Sequence, residues 1–521
     1  MSNTKIAIIG AGVSGLCMAI QLKRILGTDS FEIFESAEAV GGTWHHNRYP
    51  ACGCDVPSHV YQFSFAMNPD WTSFFVGWDE IRAYIERVAT AFDVKKHIRF
   101  NTTLLSAKWD NADKKWNVVL RDNTSGKSFE RDFKILVSAI GSLHRPFTPS
   151  IVDADVFRGL SWHTARWRSD VSLAGKRVAV IGNGCSAVQA VPEISKEAKM
   201  IYNFAREPHW LVPQENVTFG PVAHWIFRNV PFVQRLLYLM LVWVMDSGFA
   251  MLKKDSKVNA RWQKELNDYI IKTAPEKYHS FLIPKYEAGC KRRVFDTKYL
   301  SSLHKENVEL VTSKVYKLNA HGIITEDGRE FPVDVIVYAT GFESQNPFGE
   351  AKLVGADGVD IHERWKLGGE ALHGTVVAGM PNFFILMGPN TVTGHMSVIW
   401  TTECQVNYAL QVMEPLLSGR VKSLEPRKDV QKAYNEMLQR KMQNLVWLGS
   451  CKSWYVNEAG KNTTLYPDYQ HTFWWETLRV DYSEYLSEDG KPYWRPRNMK
   501  MLVTVSGLIL LAGLRFWRKA N

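Results

Sequence analysis

Cysteine is scarce and irregularly placed. The seven cysteines among 521 residues follow no repeated spacing, which predicts no disulfide framework. The pair at Cys52 and Cys54 is too close to form the CxxC of a flavin disulfide reductase. A first strand expected from about Lys5 leaves no room for a secretory leader ahead of it, so the expected setting is a reducing compartment facing the cytosol. Long apolar runs are missing too. The two candidates, residues 236–245 and 501–514, fall short of the roughly 20 residues that span a bilayer. Negative charge is absent from the end of the chain, where residues 491–521 hold seven Lys and Arg and no Asp or Glu. Most of the formal net charge of +10 is therefore local. A basic tail around an apolar run points to a membrane surface, not to nucleic acid.

What is present fits a large folded enzyme of two or three domains. The chain begins KIAIIGAGVSG, a short apolar run leading into Gly10, Gly12 and Gly15. This is strand, tight turn and helix. Gly10 permits the turn, Gly12 lets backbone approach a pyrophosphate, and Gly15 allows close helix packing, with the phosphates at the helix N-terminus. The run FEIFE, residues 31–35, reads as the second parallel strand and ends in Glu35 about 20 residues after the glycines, where an acid accepts from a ribose 2′-hydroxyl. The pattern recurs in KRVAVIGNGCSA, with Gly182, Gly184 and Ala187 in the same positions and Ser186 on the following helix. The corresponding later stretch reads NFAREP and places Arg206 where the first unit has Glu35, with Glu207 immediately after it. An arginine suits a 2′-phosphate and an acid a bare ribose, so the first unit is expected to hold FAD and the second NADPH. No metal site is expected.

Three further segments resemble the class B flavin monooxygenases, and within them the Baeyer–Villiger monooxygenases, over about residues 5–467. FRGLSWHTARW matches the family fingerprint FxGxxxHxxxW at Phe157, Gly159, His163 and Trp167, with Arg168 where the family continues with Pro or Asp. The resemblance gives His163 a role in coupling the two nucleotide domains; alone it reads as an ordinary linker histidine. GGTWHHNRYPACGCD resembles the stretch that wraps the flavin, so Thr43, Trp44, Asp55 and Tyr61 are expected to line FAD. AGCKRRVFD resembles the region of the family's catalytic arginine and places it at Arg292, with adjacent Arg293 as the rival register and Lys291 toward the NADPH 2′-phosphate. Asp55 would orient Arg292. SWYVNEAGKNTTLYP resembles the segment whose tryptophan, here Trp454, folds onto the nicotinamide, although a packing role explains Trp454 as well. SAIGSLHRPFTP and VYATGFES resemble the crossings between the nucleotide domains.

The expected fold is α/β: two dinucleotide-binding, Rossmann-like domains with an inserted helical cap and an apolar C-terminal tail helix. FAD would occupy residues 1–146 and 346–495, and NADPH residues 147–212 and 290–345. Residues 213–289 lack a nucleotide motif and read as helices shaping a substrate pocket, apolar enough to suggest a lipophilic substrate. Residues 496–521 form the tail, in which the uncharged run 501–514 has basic residues on both sides. At about 1.5 Å per residue that run covers roughly 21 Å, extendable by snorkelling, which makes a membrane tail the expectation and a docked terminal helix its alternative. The resemblance implies an NADPH-dependent FAD enzyme that inserts one oxygen atom of O2 beside a ketone carbonyl by way of a flavin peroxide, giving an ester or lactone. An N- or S-monooxygenase is the alternative, and a non-catalytic flavin-binding membrane protein a more distant one. The chain is expected on a membrane with its catalytic part facing the cytosol, or else soluble in the cytoplasm. Oligomeric state is not legible.

Overall fold

The computed structural model describes residues 4–493. The expected tail run 501–514 lies outside the described residues.

The chain opens with β1 (Ile6–Ile9), α1 (Val13–Leu26), β2 (Phe31–Phe34), β3 (Ile98–Arg99) and β4 (Ile135–Ser138), all paired in parallel. Every residue of β1 and β4 is buried, as continuous apolar strands covered on both faces must be. A second parallel set follows: β5 (Leu160–His163), β6 (Arg177–Ile181), α2 (Cys185–Ile194), β7 (Met200–Phe204), β8 (Val308–Val311) and β9 (Val335–Tyr338). Finally β10 (Phe383–Ile385) returns to the first sheet, which runs β10-β4-β1-β2-β3, while the second runs β8-β7-β6-β9-β5. In each sheet the first strand of the nucleotide motif sits between its own second strand and a later one. That is the switch point where open parallel sheets bind ligands beyond their carboxyl ends.

Two crossings join the units, and they pair with each other. Phe147 N–H donates to Gly341 O, Glu343 N–H donates to Arg145 O, and the Arg145 Nε lies 3.0 Å from the Glu343 carboxylate. The seam segments expected from SAIGSLHRPFTP and VYATGFES are thus one antiparallel contact, bridged at Pro146 and Phe342.

Between the second-unit strands the chain leaves through Leu211–Pro213 and comes back through Val294–Asp296, which pair in parallel. The excursion contains the expected helices: α3 (Pro221–Asn229), α4 (Val233–Ser247) and α5 (Lys257–Thr273). Late in the chain α6 (Val398–Leu417) packs on α1, and α7 (Gln470–Thr477) packs on α6.

The cysteines, expected to build no disulfide framework, include one bonded pair. Cys290 and Cys451 form it across 161 residues of sequence, with Cα atoms 6.2 Å apart. Spacing along the chain cannot reveal such a pair, because the fold alone brings the residues together. Cys17, Cys52, Cys54, Cys185 and Cys404 are free.

Candidate active site

The two glycine loops are built alike. Gly10 has φ +107° and a Cβ there would come 2.5 Å from Ala139 O; Gly182 has φ +113° and a Cβ would come 2.4 Å from Ala339 O. Each loop therefore turns against the end of the neighbouring strand, a path closed to residues with a side chain. Gly15 is needed for packing, since its Cβ would meet Gly10 O at 1.9 Å. The matching Ala187 is fully buried and tolerated. Beside Gly184 a Cβ would meet nothing within 4 Å, so that loop borders open space wide enough for backbone to approach a ligand.

Glu35 stands at the end of β2, buried, and accepts from the Ala11 N–H at 2.7 Å and the Ala37 N–H at 2.9 Å. Its carboxylate is thereby fixed beside the first glycine loop. In the second unit Arg206 is exposed just past β7. Its neighbour Glu207 forms an ion pair with Lys291, whose ammonium also lies over the Tyr286 ring. The acid that would repel a 2′-phosphate is thus occupied by a cation. Lys291 meets the second glycine loop indirectly, for Asn183 donates its amide to Glu207 O at 2.8 Å. Ser186, in the first turn of α2, faces the Tyr49 hydroxyl.

The two units meet at one cluster. Asp55 holds Arg292 through three hydrogen bonds, Nε to Oδ2 at 3.1 Å and Nη2 to Oδ1 and Oδ2 at 2.7 and 2.6 Å. This carboxylate drives the guanidinium well above its ordinary pKa, against the cost of burial. Burial pushes the Cys185 thiol up, with Arg292 working the other way, and pushes Tyr455 up to about 12, again opposed by Arg292. Arg293 turns elsewhere: its guanidinium lies 5.8 Å from the Trp262 ring centroid, and burial lowers its pKa. Gln189 of α2 ties the units beside this cluster by accepting from the Tyr49 hydroxyl at 2.8 Å and donating to Gly53 O at 3.1 Å. Thr43 and Trp44 begin a short helix, and Trp44 Nε1 donates to the Tyr61 hydroxyl at 3.0 Å with the two rings edge to face.

Other expected residues gather at a different place. His163 ends β5 opposite Tyr338, accepts from the Ala165 N–H and packs on the Phe342 ring of the seam. Trp167 packs edge to face on Trp162, and Gly159 is required because a Cβ would strike the Phe157 ring and Asp334 O. Burial, with the Arg166 cation adding to it, pushes His163 down to about 4, and His46 of the stretch GGTWHHNRYPACGCD falls to about 4 for the same two reasons. The fingerprint thus packs on the seam, and its Arg166 acts electrostatically on His46, in the short helix of Thr43 and Trp44. Trp454 is half-exposed, packs on Tyr455 and accepts through its carbonyl from Gln345. The disulfide three residues before it ties this loop to the residue preceding Lys291. Cys185, Gln189, Tyr455 and the disulfide were missed at the sequence level; none has a spacing signal, though Cys185 and Gln189 fall on the helix that the second glycine motif announces.

Two glycine-loop nucleotide units facing one carboxylate-held arginine define a class of two-dinucleotide proteins. The chain belongs to the flavin-binding monooxygenase-like family, whose model matches residues 3–458. It is 37% identical over 488 residues to a Baeyer–Villiger monooxygenase of Streptomyces coelicolor, covering 93% of this chain and 92% of that one. It is 38% identical over 493 residues to a Baeyer–Villiger monooxygenase of Pseudomonas aeruginosa, covering 93% and 91%. Among solved structures it is similar to OTEMO in complex with FAD and NADP, with a TM-score of 0.84, 25% identity and coverage of 94% of this chain and 100% of that one. It is also similar to an oxidized steroid monooxygenase bound to NADP, with a TM-score of 0.81, 27% identity and coverage of 93% and 99%.

Proposed function

We propose that the chain is an FAD-containing, NADPH-dependent Baeyer–Villiger monooxygenase that converts a ketone, O2, NADPH and a proton into an ester or lactone, water and NADP+. The observation that carries this reading is the Arg292–Asp55 pair where the two nucleotide units meet. Both cofactors fit the residues present. The first unit offers the turn at Gly10 and the fixed Glu35 carboxylate for FAD, with Thr43, Trp44, Asp55 and Tyr61 along the flavin. The second offers Gly182, open space at Gly184, and Ser186, Arg206 and Lys291 for NADPH, and the family resemblance assigns Trp454 to the nicotinamide. When bound, NADPH would supply hydride and the reduced flavin would supply the two electrons that activate O2.

The protein's own contribution is electrostatic. Arg292 cannot deprotonate, and Asp55 holds it in one orientation, so a fixed positive charge stands where negative charge develops as oxygen adds to a ketone carbonyl. Preorganised donors of this kind stabilise the transition state because they need not reorient. The buried Tyr455 ring and the half-buried Cys185 limit water at the same face.

The domain boundaries given above, with residues 213–289 as a substrate-shaping cap, belong to this proposal. So does membrane attachment of the basic-bordered run 501–514, which fractionation of the full chain tests. The reaction is tested by following NADPH consumption against cyclic and linear ketones and weighing the products. A gain of one oxygen atom in a hydrolysable product is expected; oxidation confined to amines or sulfides would replace the ketone reading with heteroatom oxygenation.

A further inference from the structure

The helix α4 is apolar all round, and its two faces are apolar for different reasons. Tyr238 and Leu241 are buried, and Leu237, Val242 and Met245 pack against the main core. The opposite stripe, Leu236, Leu239, Met240, Trp243 and Val244, follows helical spacing and is exposed, Leu236 to 63% and Trp243 to 73%. The stripe continues onto α3, where Val222 and Trp225 one turn apart are also exposed, and onto Phe232 in the turn between the helices. Exposed Trp475 follows one turn after His471, the residue that binds Asp246 at the end of α4. Two of the four exposed tryptophans among the described residues, Trp225 and Trp243, therefore lie on this helix pair, and Trp475 lies on α7, whose first turn bonds the end of α4. Soluble monomers rarely leave so large a contiguous apolar area to water.

By length and composition the segment Val233–Leu252 could cross a membrane. The fold forbids it. Near the first turn Arg235 donates to Ser64 O at 2.6 Å, and at the far end Asp246 accepts from His395, from the Gln470 N–H and from His471. Pinned at both ends, α4 lies flat on the protein with only one face free.

Charge indicates what covers that face. With Arg235 and Asp246 engaged inward, the remaining charges of residues 221–257 are Arg228, Lys253, Lys254 and Lys257 against Asp255 alone, and Arg228 is shared with Asp70. The exposed strip itself is uncharged from residue 236 to 245. An apolar, tryptophan-bearing face with cations at its ends matches the acyl–headgroup boundary of a bilayer.

We propose that the outward face of α3 and α4 docks on an anionic lipid bilayer, the helices lying in the plane of the interface. Apolar residues enter the acyl boundary, the tryptophans sit at headgroup depth, and Lys253, Lys254 and Lys257 meet phosphates. This surface is separate from the Arg292 cluster and does not depend on the reaction assigned to it.

The test uses the full chain with its flavin and vesicles of phosphatidylcholine with phosphatidylserine, compared with phosphatidylcholine alone. Hydrogen–deuterium exchange in residues 217–247 should slow on anionic vesicles. The combined substitutions Trp225→Gln, Leu236→Gln and Trp243→Gln should lower the bound fraction at least tenfold and remove that slowing, with flavin content unchanged. If the triple variant fails to retain flavin, Trp243→Gln alone takes its place, with a severalfold loss of binding expected. A parent chain that does not bind, that binds neutral vesicles equally, or that is protected only beyond residue 493 overturns the proposal. So does a variant that binds as well as the parent. Protection of residues 217–247 without vesicles that grows with protein concentration also overturns it, because a second copy would then cover the face.

Discussion

A guanidinium held by three hydrogen bonds to one carboxylate is a positioned charge, and at Arg292 that charge lies between two nucleotide units. Replacing it removes a charge but none of the groups assigned to FAD. Arg292→Ala is therefore expected to fold, bind flavin and accept hydride from NADPH, while ester formation falls by about 10²–10³-fold, the scale of one lost preorganised donor. NADPH would then be consumed with hydrogen peroxide released, which a peroxidase-coupled assay reads directly. Arg293→Ala should be far milder, since that side chain lies against Trp262; the reverse pattern would move the site by one residue. Adjacent arginines are indistinguishable in sequence. Only the position of the Asp55 carboxylate, brought from a distant part of the chain, separates them. At the second nucleotide site Arg206→Ala should weaken NADPH by about 1.5–3 kcal/mol, the range for hydrogen bonds to charged groups, and leave NADH nearly unchanged. Equal loss for both, measured by KM under flavin reduction, would assign the phosphate to another residue. The pairing of Glu207 with Lys291 was not legible either, because it joins residues that are adjacent only across the fold.

Elements were read well where one periodicity dominated and poorly where two reasons for apolarity coincided. The strand–glycine–helix units announced themselves twice, from Gly10 with Glu35 and from Gly182 with Gly184. The helix α4 did not reveal its free face, since inward Tyr238 and outward Trp243 are equally apolar in sequence. The helix α6 hides a different feature, an ionisable group inside its packed face. Burial pushes Glu403 up to about 7, although the Ser64 N–H and the cations Arg235 and Arg24 pull it down. Its folded-state pKa is thus raised above the ordinary 4.5. The sign follows: the stabilisation from its neutral form is complete below about pH 4.5 and is lost as pH rises through about 7. Glu403→Gln keeps an acceptor for Ser64 and removes the ionisation. The variant should be more stable than the parent at about pH 8, by up to about 3 kcal/mol, and the two should converge near pH 4.5. Urea unfolding at the two pH values checks this, and parallel pH profiles would show that Glu403 is not protonated in the fold.

At the scale of the whole molecule, the nucleotide units are continuous through the seam at Arg145 and Glu343 and through Gln189, and the described chain closes on itself by Tyr493. Every residue assigned to FAD, NADPH or the arginine cluster lies before that point, and the family match ends at residue 458. The basic-bordered run 501–514 supplies none of the residues assigned to the site. Cutting the chain after Trp494 should leave a flavin-loaded protein with near-full turnover on a water-soluble ketone. The same truncation separates two ways of meeting a membrane. With the run 501–514 gone, any binding to anionic vesicles must come from the described body, where the exposed strip on α3 and α4 is the candidate. Binding that survives the cut and disappears with Trp225→Gln, Leu236→Gln and Trp243→Gln would assign attachment to that strip; binding lost with the cut alone would assign it to the tail. A truncated chain that aggregates or cannot hold flavin would instead show residues 495–521 to be a docked part of the globule, and the reading of them as a membrane segment would fall.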